Sequence, residues 1–158
     1  MVDKRDIVFL DFDGVIFPFG SYSVDVSDVL ARPDRYFDTF VKAADTKAVG
    51  DLRAFLYNKD VVVISTWRYL FEKDYITDLL KELGIYVYSF AMDEKERQLK
   101  SKDIETFLHN LEYDGKWWLI DDEDGHMPPH VGGGIHLKPN KYEGFRLRNI
   151  NEDASDNS

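Results

Sequence analysis

The run Ile7-Val8-Phe9-Leu10, followed at once by Asp11-Phe12-Asp13-Gly14-Val15, constrains this chain more than any other stretch. Four consecutive apolar residues are the pattern of a strand buried on both faces, as in a parallel sheet covered by helices. Two carboxylates and a glycine at its C-terminal end put charge where the strand leaves the sheet. Carboxylates one residue apart repel at close range, and a proton on one or a cation between them relieves that repulsion. A divalent metal is the simplest relief.

The same grammar recurs downstream. Val61-Val62-Val63-Ile64 reads as a second buried strand and stops at Ser65-Thr66-Trp67-Arg68; Ile85 to Phe90 reads as a third. Trp117-Trp118-Leu119-Ile120 is a fourth, ending in Asp121-Asp122, and Ile135 to Lys138 a short fifth. Between them the apolar spacing predicts two helical pieces over Tyr36 to Tyr57, broken near Asp45-Thr46, and a helix from Lys73 to Leu83 closed by Gly84. A further helix is predicted from Ser101 to Leu111, with Ser101 as its cap. Ile16 to Arg35, punctuated by Pro18, Gly20 and Pro33, predicts an irregular loop or short hairpin starting at the tip of the first strand, placed either as a flap or as plain surface loop. Strands alternating with helices define an α/β fold around a central parallel sheet, and such sheets bind ligands beyond the C-terminal ends of their strands.

At 158 residues the chain is long enough for one domain with a core of its own, expected over residues 1–150, with 151–158 as an acidic disordered tail. The absence of cysteine excludes disulfides, zinc ribbons and thiol nucleophiles. With no apolar signal core and no span of about 20 apolar residues, the expectation is a cytoplasmic protein without a membrane partner. A net charge of −10 argues against a broad nucleic-acid-binding surface, since phosphate contacts need clustered Lys and Arg. It leaves room for a small phosphorylated substrate, or a nucleic-acid phosphate end gripped locally.

The strand tips bring together Asp11, Asp13, Ser65, Thr66, either Lys100 or Lys102, and Asp121 with Asp122. Two acidic clusters from different strands make an oxygen-ligand site suited to Mg²⁺, while a hydroxyl and an ammonium suit a phosphate. Those parts suffice for phosphoryl transfer.

Asp-Phe-Asp-Gly-Val, then Ile-Ser-Thr-Trp-Arg, a lysine before a helix, and Leu-Ile-Asp-Asp resemble the four ordered motifs of the haloacid dehalogenase (HAD) superfamily. The Ser-Thr-Trp-Arg form and the helix Lys-Ser-Lys-Asp-Ile-Glu-Thr-Phe-Leu are similar to small capless members found in RNA-repair and polynucleotide kinase-phosphatase proteins. The resemblance implies a Rossmann-like three-layer sandwich and a phosphatase acting through an aspartyl phosphate. It implies Asp11 as nucleophile, Asp13 as acid/base, Ser65 and Thr66 as phosphate contacts, and Asp11, Asp13, Asp121 and Asp122 around the metal. It also implies one charge-neutralising lysine, for which the spacing to Ile104 favours Lys100 over Lys102. Arg68 pairs either with phosphate or with a surface carboxylate. About 50 residues separate Asp13 from Ser65, too few for a large cap domain, so an open site is expected.

Two other functional classes stand beside the phosphatase. A receiver-like phosphoacceptor domain combines similar groups, but places its acceptor on a later strand. A catalytically idle binding relative would most simply have lost Asp13. His126, His130 and His136 lie in a Pro/Gly loop rather than on one helix face, which disfavours a transition-metal site. Gly132-Gly133-Gly134 lacks the Lys-Ser or Lys-Thr of a phosphate loop and reads as a flexible turn.

Overall fold

The computed structural model describes residues 5–148 and 150, so the acidic tail expected from 151 lies outside the described residues. Five strands, β1 (Asp6–Leu10), β2 (Lys59–Val63), β3 (Val87–Phe90), β4 (Trp117–Ile120) and β5 (Gly134–Leu137), form one sheet in the order β3-β2-β1-β4-β5. Every pairing is parallel. The chain first steps outward from β1 to β3, then crosses back to β4, so its direction reverses between β1 and β4. In open α/β sheets that reversal opens the crevice where ligands sit.

Alternation along the strands sorts the core into two layers. Val8 and Leu10 of β1, Val61 and Val63 of β2, and Trp118 and Ile120 of β4 face one side. There they meet apolar residues of α1 (Val26–Ala31), α2 (Phe37–Ala43), α3 (Thr46–Leu56) and α4 (Lys73–Glu82). Ile7, Phe9, Val62, Trp117 and Leu119 face the other side, against Ile104 and Leu108 of α5 (Lys100–Asn110). The adjacent tryptophans therefore serve opposite layers: Trp118 packs edge-on to Phe55, and Trp117 edge-on to Phe9. Among the described residues no cap domain is inserted between the strands, and no helix is long and apolar enough to cross a membrane.

Backbone bonds carry this order past the strand ends. The Asp11 N–H donates to the Ile120 carbonyl at 3.0 Å, Ile64 N–H to Leu10 at 3.1 Å, and Asp121 N–H to Leu137 at 3.2 Å. The residues bearing the acidic side chains are thus anchored to the sheet itself.

The segment 16–35 is more structured than its composition suggests. Asp25 caps α1 by accepting from the Asp28 N–H at 3.2 Å, and Pro33 opens a 3-10 turn over Pro33–Tyr36 instead of only breaking the chain. Proline is pre-organised for a first helical position, where no N–H is needed. The break near Asp45 is a capping event as well, since its carboxylate accepts from the Ala48 N–H at 2.9 Å. Helix α5 begins at Lys100 with Leu99 before it and no side-chain cap, so Ser101 lies inside the helix rather than capping it. The β3 strand is two residues shorter than its apolar run, Ile85 and Tyr86 falling outside it, because the chain is still closing α4 there, with bonds from Gly84 N–H to Lys81 and Ile85 N–H to Leu80, both 2.9 Å.

In the glycine run that leads into β5, Gly134 makes room for a neighbouring ring. A Cβ on Gly134 would lie 2.2 Å from a carbon of the Trp117 ring, while the Trp117 Nε1–H donates to the Gly132 carbonyl at 3.0 Å. Gly134→Ala forces the indole out of its layer and is expected to cost about 1–3 kcal/mol, read as a lower urea midpoint at unchanged slope.

Candidate active site

Beyond the C-terminal ends of β1 and β4, a cleft of about 290 Å³ is lined by Asp11, Asp13, Thr66, Lys100 and Asp122, with Phe19 and Arg97 among the residues at its walls. Larger hollows of about 770 and 860 Å³ lie elsewhere, the first at the opposite ends of the strands, but neither gathers convergent catalytic groups. Charge density, not size, marks the site.

One carboxylate oxygen from each of Asp11, Asp121 and Asp122 falls within 4.8 Å of the others, and all three residues are buried. Burial raises the Asp11 pKa well above the usual carboxylate range, and the neighbouring Asp121 adds to it. Asp122 is raised for the same two reasons. Lys100, the first residue of α5, sets its Nζ 2.9 Å from Asp121 Oδ2 and 3.4 Å from Asp11 Oδ2. Burial works against the Lys100 charge, yet the two aspartates outweigh it and its pKa is raised. One ammonium thus faces three carboxylates. Asp122 Oδ2 is buried with no hydrogen-bond partner among the described residues, the kind of orphaned acceptor that a cation satisfies. Gly14 makes this approach possible: its φ is +79°, and a Cβ there would lie 2.4 Å from Asp122 Cγ.

Asp13 stands apart from that trio. Its Oδ1 accepts from the Tyr22 hydroxyl at 2.5 Å and its Oδ2 from the Trp67 indole at 3.1 Å. Burial, then the bond to Asp13, raises the Tyr22 pKa, so the phenol remains a donor. Both donors are themselves held by rings. Trp67 stacks on Phe17 with centroids 5.3 Å apart, and Tyr22 meets Phe40 edge-on at 5.2 Å. An aromatic wall therefore orients the second aspartate. The segment 16–35 enters the site through Tyr22 and Phe19, neither of which its loop-like composition singles out.

The remaining candidates separate. Ser65 is buried, and its Oγ accepts from the Trp67 N–H at 3.2 Å, which leaves its own proton to donate; Thr66 is exposed at the cleft wall. Lys102, two positions further along α5, is exposed, whereas Lys100 reaches the aspartates. Arg68 corrects the phosphate-contact expectation. Its guanidinium is buried and committed to Asp103 at 2.7 Å and to the carbonyls of Ile64, Ser65 and Ala91 at 2.6, 2.9 and 2.8 Å. It ties the ends of β2 and β3 to α5. Among the described residues the acidic group within metal-binding reach contains no histidine, and His136 spends its Nε2 on the Asp121 carbonyl at 2.8 Å.

The parallel sheet with acidic tips on β1 and β4, a hydroxyl tip on β2 and a lysine opening α5 define a HAD-type α/β fold. Residues 7–150 match the family described as the HAD domain in Swiss Army Knife RNA repair proteins, and the chain belongs to that family. Among solved structures, it is similar to the HAD domain of the effector protein Lem4 from Legionella pneumophila, an inactive mutant, with TM-score 0.58 and 17% identity over 97% of this chain and 94% of that one. At that identity the likeness speaks for the fold alone. No curated protein matches the chain.

Removing the partner of Arg68 strands a buried charge. Asp103→Ala is expected to lower unfolding stability by about 3–5 kcal/mol, measured by urea denaturation; a loss below about 1 kcal/mol would show that the guanidinium finds solvent.

Proposed function

We propose that this chain is a Mg²⁺-dependent phosphomonoester phosphatase that works through an aspartyl phosphate and acts on a nucleotide or polynucleotide phosphate. The observation that supports it most is the buried Asp11–Asp121–Asp122 trio sharing one lysine, beside a second aspartate gripped by Tyr22 and Trp67.

The donor set suits a hard divalent cation. Three carboxylates, one with an unpartnered buried oxygen and two with raised pKa values, are what such a site presents when its charge is uncompensated. Asp11, Asp121 and Asp122, with the main-chain carbonyl of Asp13, would hold Mg²⁺. When bound, the ion supplies positive charge against the substrate phosphate and the aspartates.

Asp11 attacks the phosphorus, the bond to the leaving oxygen breaks, and Asp13 delivers its proton to that oxygen. Water then attacks the phosphorus of the aspartyl phosphate while Asp13 takes up its proton, releasing inorganic phosphate and restoring the Asp11 carboxylate. Each Asp13 oxygen accepts one bond in the structure and keeps a second lone pair for this proton. Lys100 offsets negative charge on the nucleophile and on the transferring group. Ser65 and Thr66 supply hydroxyl donors. A site with no cap over it admits the end of a large substrate, and the RNA-repair description of the matching family points toward nucleic-acid ends.

Hydrolysis of an aryl phosphate with and without Mg²⁺ tests the chemistry. Turnover is expected only with the metal and to fall on the order of 10³-fold or more in Asp11→Asn; undiminished turnover in that variant would exclude the covalent route. Independently of turnover, Mg²⁺ at about 100 times its Kd is expected to stabilise the chain by about 2.7 kcal/mol, seen as a rise in Tm. Asp121→Asn should flatten that response.

A further inference from the structure

We infer that the mouth of the cleft carries a nucleotide-binding subsite, built from Phe19, Lys141 and Tyr142 on one side and Arg97 on the other, which seats the ring and the next phosphate of a nucleic-acid end. The inference rests on the phosphatase reading and specifies what lies beyond the reacting phosphate.

Phe19 lines the same cleft as Asp11 and Asp13, yet it is 48% exposed, and its neighbour Tyr142 is 67% exposed. Their rings meet edge-to-face with centroids 6.0 Å apart. The Lys141 Nζ lies 5.0 Å from the Phe19 centroid and 5.4 Å from that of Tyr142. Large rings left in water at the lip of a charged site carry a solvation cost that a flat ligand ring removes.

The platform is built rather than incidental. The Phe19 N–H donates to the Lys141 carbonyl at 2.8 Å, and the Tyr142 N–H to Asn140 Oδ1 at 2.8 Å. Three residues further on, Phe145 N–H donates to the Val15 carbonyl at 2.8 Å, and Gly144 lets the segments close, since a Cβ there would lie 2.7 Å from Val15 O. The loop after β5 is thereby stapled to the segment after β1, so the rings are positioned before any ligand arrives.

Charge selects the occupant. The chain carries ten more acidic than basic residues, yet Arg97 at the cleft wall and Lys141 on the platform have no ion-pair partner among the described residues. A nucleic-acid end offers alternating anion and planar ring: the terminal phosphate enters the cleft, the base stacks on Phe19, and the following phosphate meets a cation. A phosphotyrosyl peptide offers a ring but no second anion at a fixed spacing.

The test uses the full chain. For native protein, Phe19→Ala, Phe19→Tyr and Arg97→Ala, kcat/KM is measured on 5′- and 3′-phosphorylated oligonucleotides, on glycerol phosphate and on a phosphotyrosyl peptide, with thermal unfolding as the check on folding. Phe19→Ala is expected to lower the oligonucleotide-to-glycerol-phosphate ratio at least about fivefold, mainly through KM, and Phe19→Tyr to restore it. Arg97→Ala should lower the ratio and reduce its salt dependence. A ratio unmoved by Phe19→Ala, or native preference for the phosphopeptide, overturns the subsite. If no phosphate is hydrolysed, the phosphatase reading fails by itself. Titration of a phosphorylated oligonucleotide onto the native chain and Phe19→Ala then still decides: at least about fivefold weaker binding in the variant upholds the subsite, and equal or absent binding overturns it.

Discussion

Three buried carboxylates held against one lysine are the constraint on which the rest of the structure turns. Two like charges about 4 Å apart repel by about 4 kcal/mol at an effective dielectric of about 20, and here two of the three contacts are between strand ends that backbone bonds prevent from moving apart. Asp11 and Asp121 each donate a backbone N–H into the continuing ladder, to Ile120 and Leu137. The sheet therefore holds its acidic tips together against their repulsion, and the unpartnered Asp122 oxygen records that the protein alone does not compensate them. Lys100 offsets one charge of the set, and the divalent cation proposed for this site would offset the rest.

Rigidity around this cluster has a visible source on each side. On one, the Arg68–Asp103 pair locks α5, and with it Lys100, to the ends of β2 and β3; Tyr69 adds its hydroxyl to Asp103 at 2.8 Å. On the other, Phe12, Phe17 and Phe40 enclose Trp67, whose indole holds Asp13. The two aspartates of the first motif thus lie in different surroundings. Asp11 sits among charges in a buried crevice, where its pKa rises. Asp13 sits against an aromatic wall with two neutral donors on its oxygens. That division suits a nucleophile and an acid/base that must not exchange roles.

The sheet was legible because β1, β2 and β4 are built on continuous apolar runs, Ile7–Leu10, Val61–Ile64 and Trp117–Ile120, that end in polar residues. Their tips named Asp11, Asp13, Asp121 and Asp122 for the same local reason. What local pattern does not contain is partnership across the chain. Trp67 and Asp13 meet across 54 positions, and Arg68 and Asp103 across 35, so nothing near Arg68 distinguishes a phosphate contact from a buried ion pair. Gly132 and Gly133 lie in the loop before β5 as read, but Gly134 opens the strand itself, and its reason, the Trp117 ring, lies on a neighbouring strand. Within 16–35, Pro33 and Asp25 were legible as punctuation, but proline opens a helical turn as readily as it ends one, and only the fold selects between those.

Electrostatics then sets how a substrate can approach. A chain with a net charge of −10 repels a polyanion as a whole, but that repulsion is screened beyond about 8 Å at physiological ionic strength. Within that range the phosphate meets local groups instead: Lys100 inside the cleft, Arg97 at its wall and Lys141 above the exposed rings. The acidic excess disfavours binding along the body of a nucleic acid, while the few cations near the cleft favour its end. Under the proposed function, a site for nucleic-acid ends would need no cap to exclude the rest of the polyanion, because the surface charge would perform that exclusion.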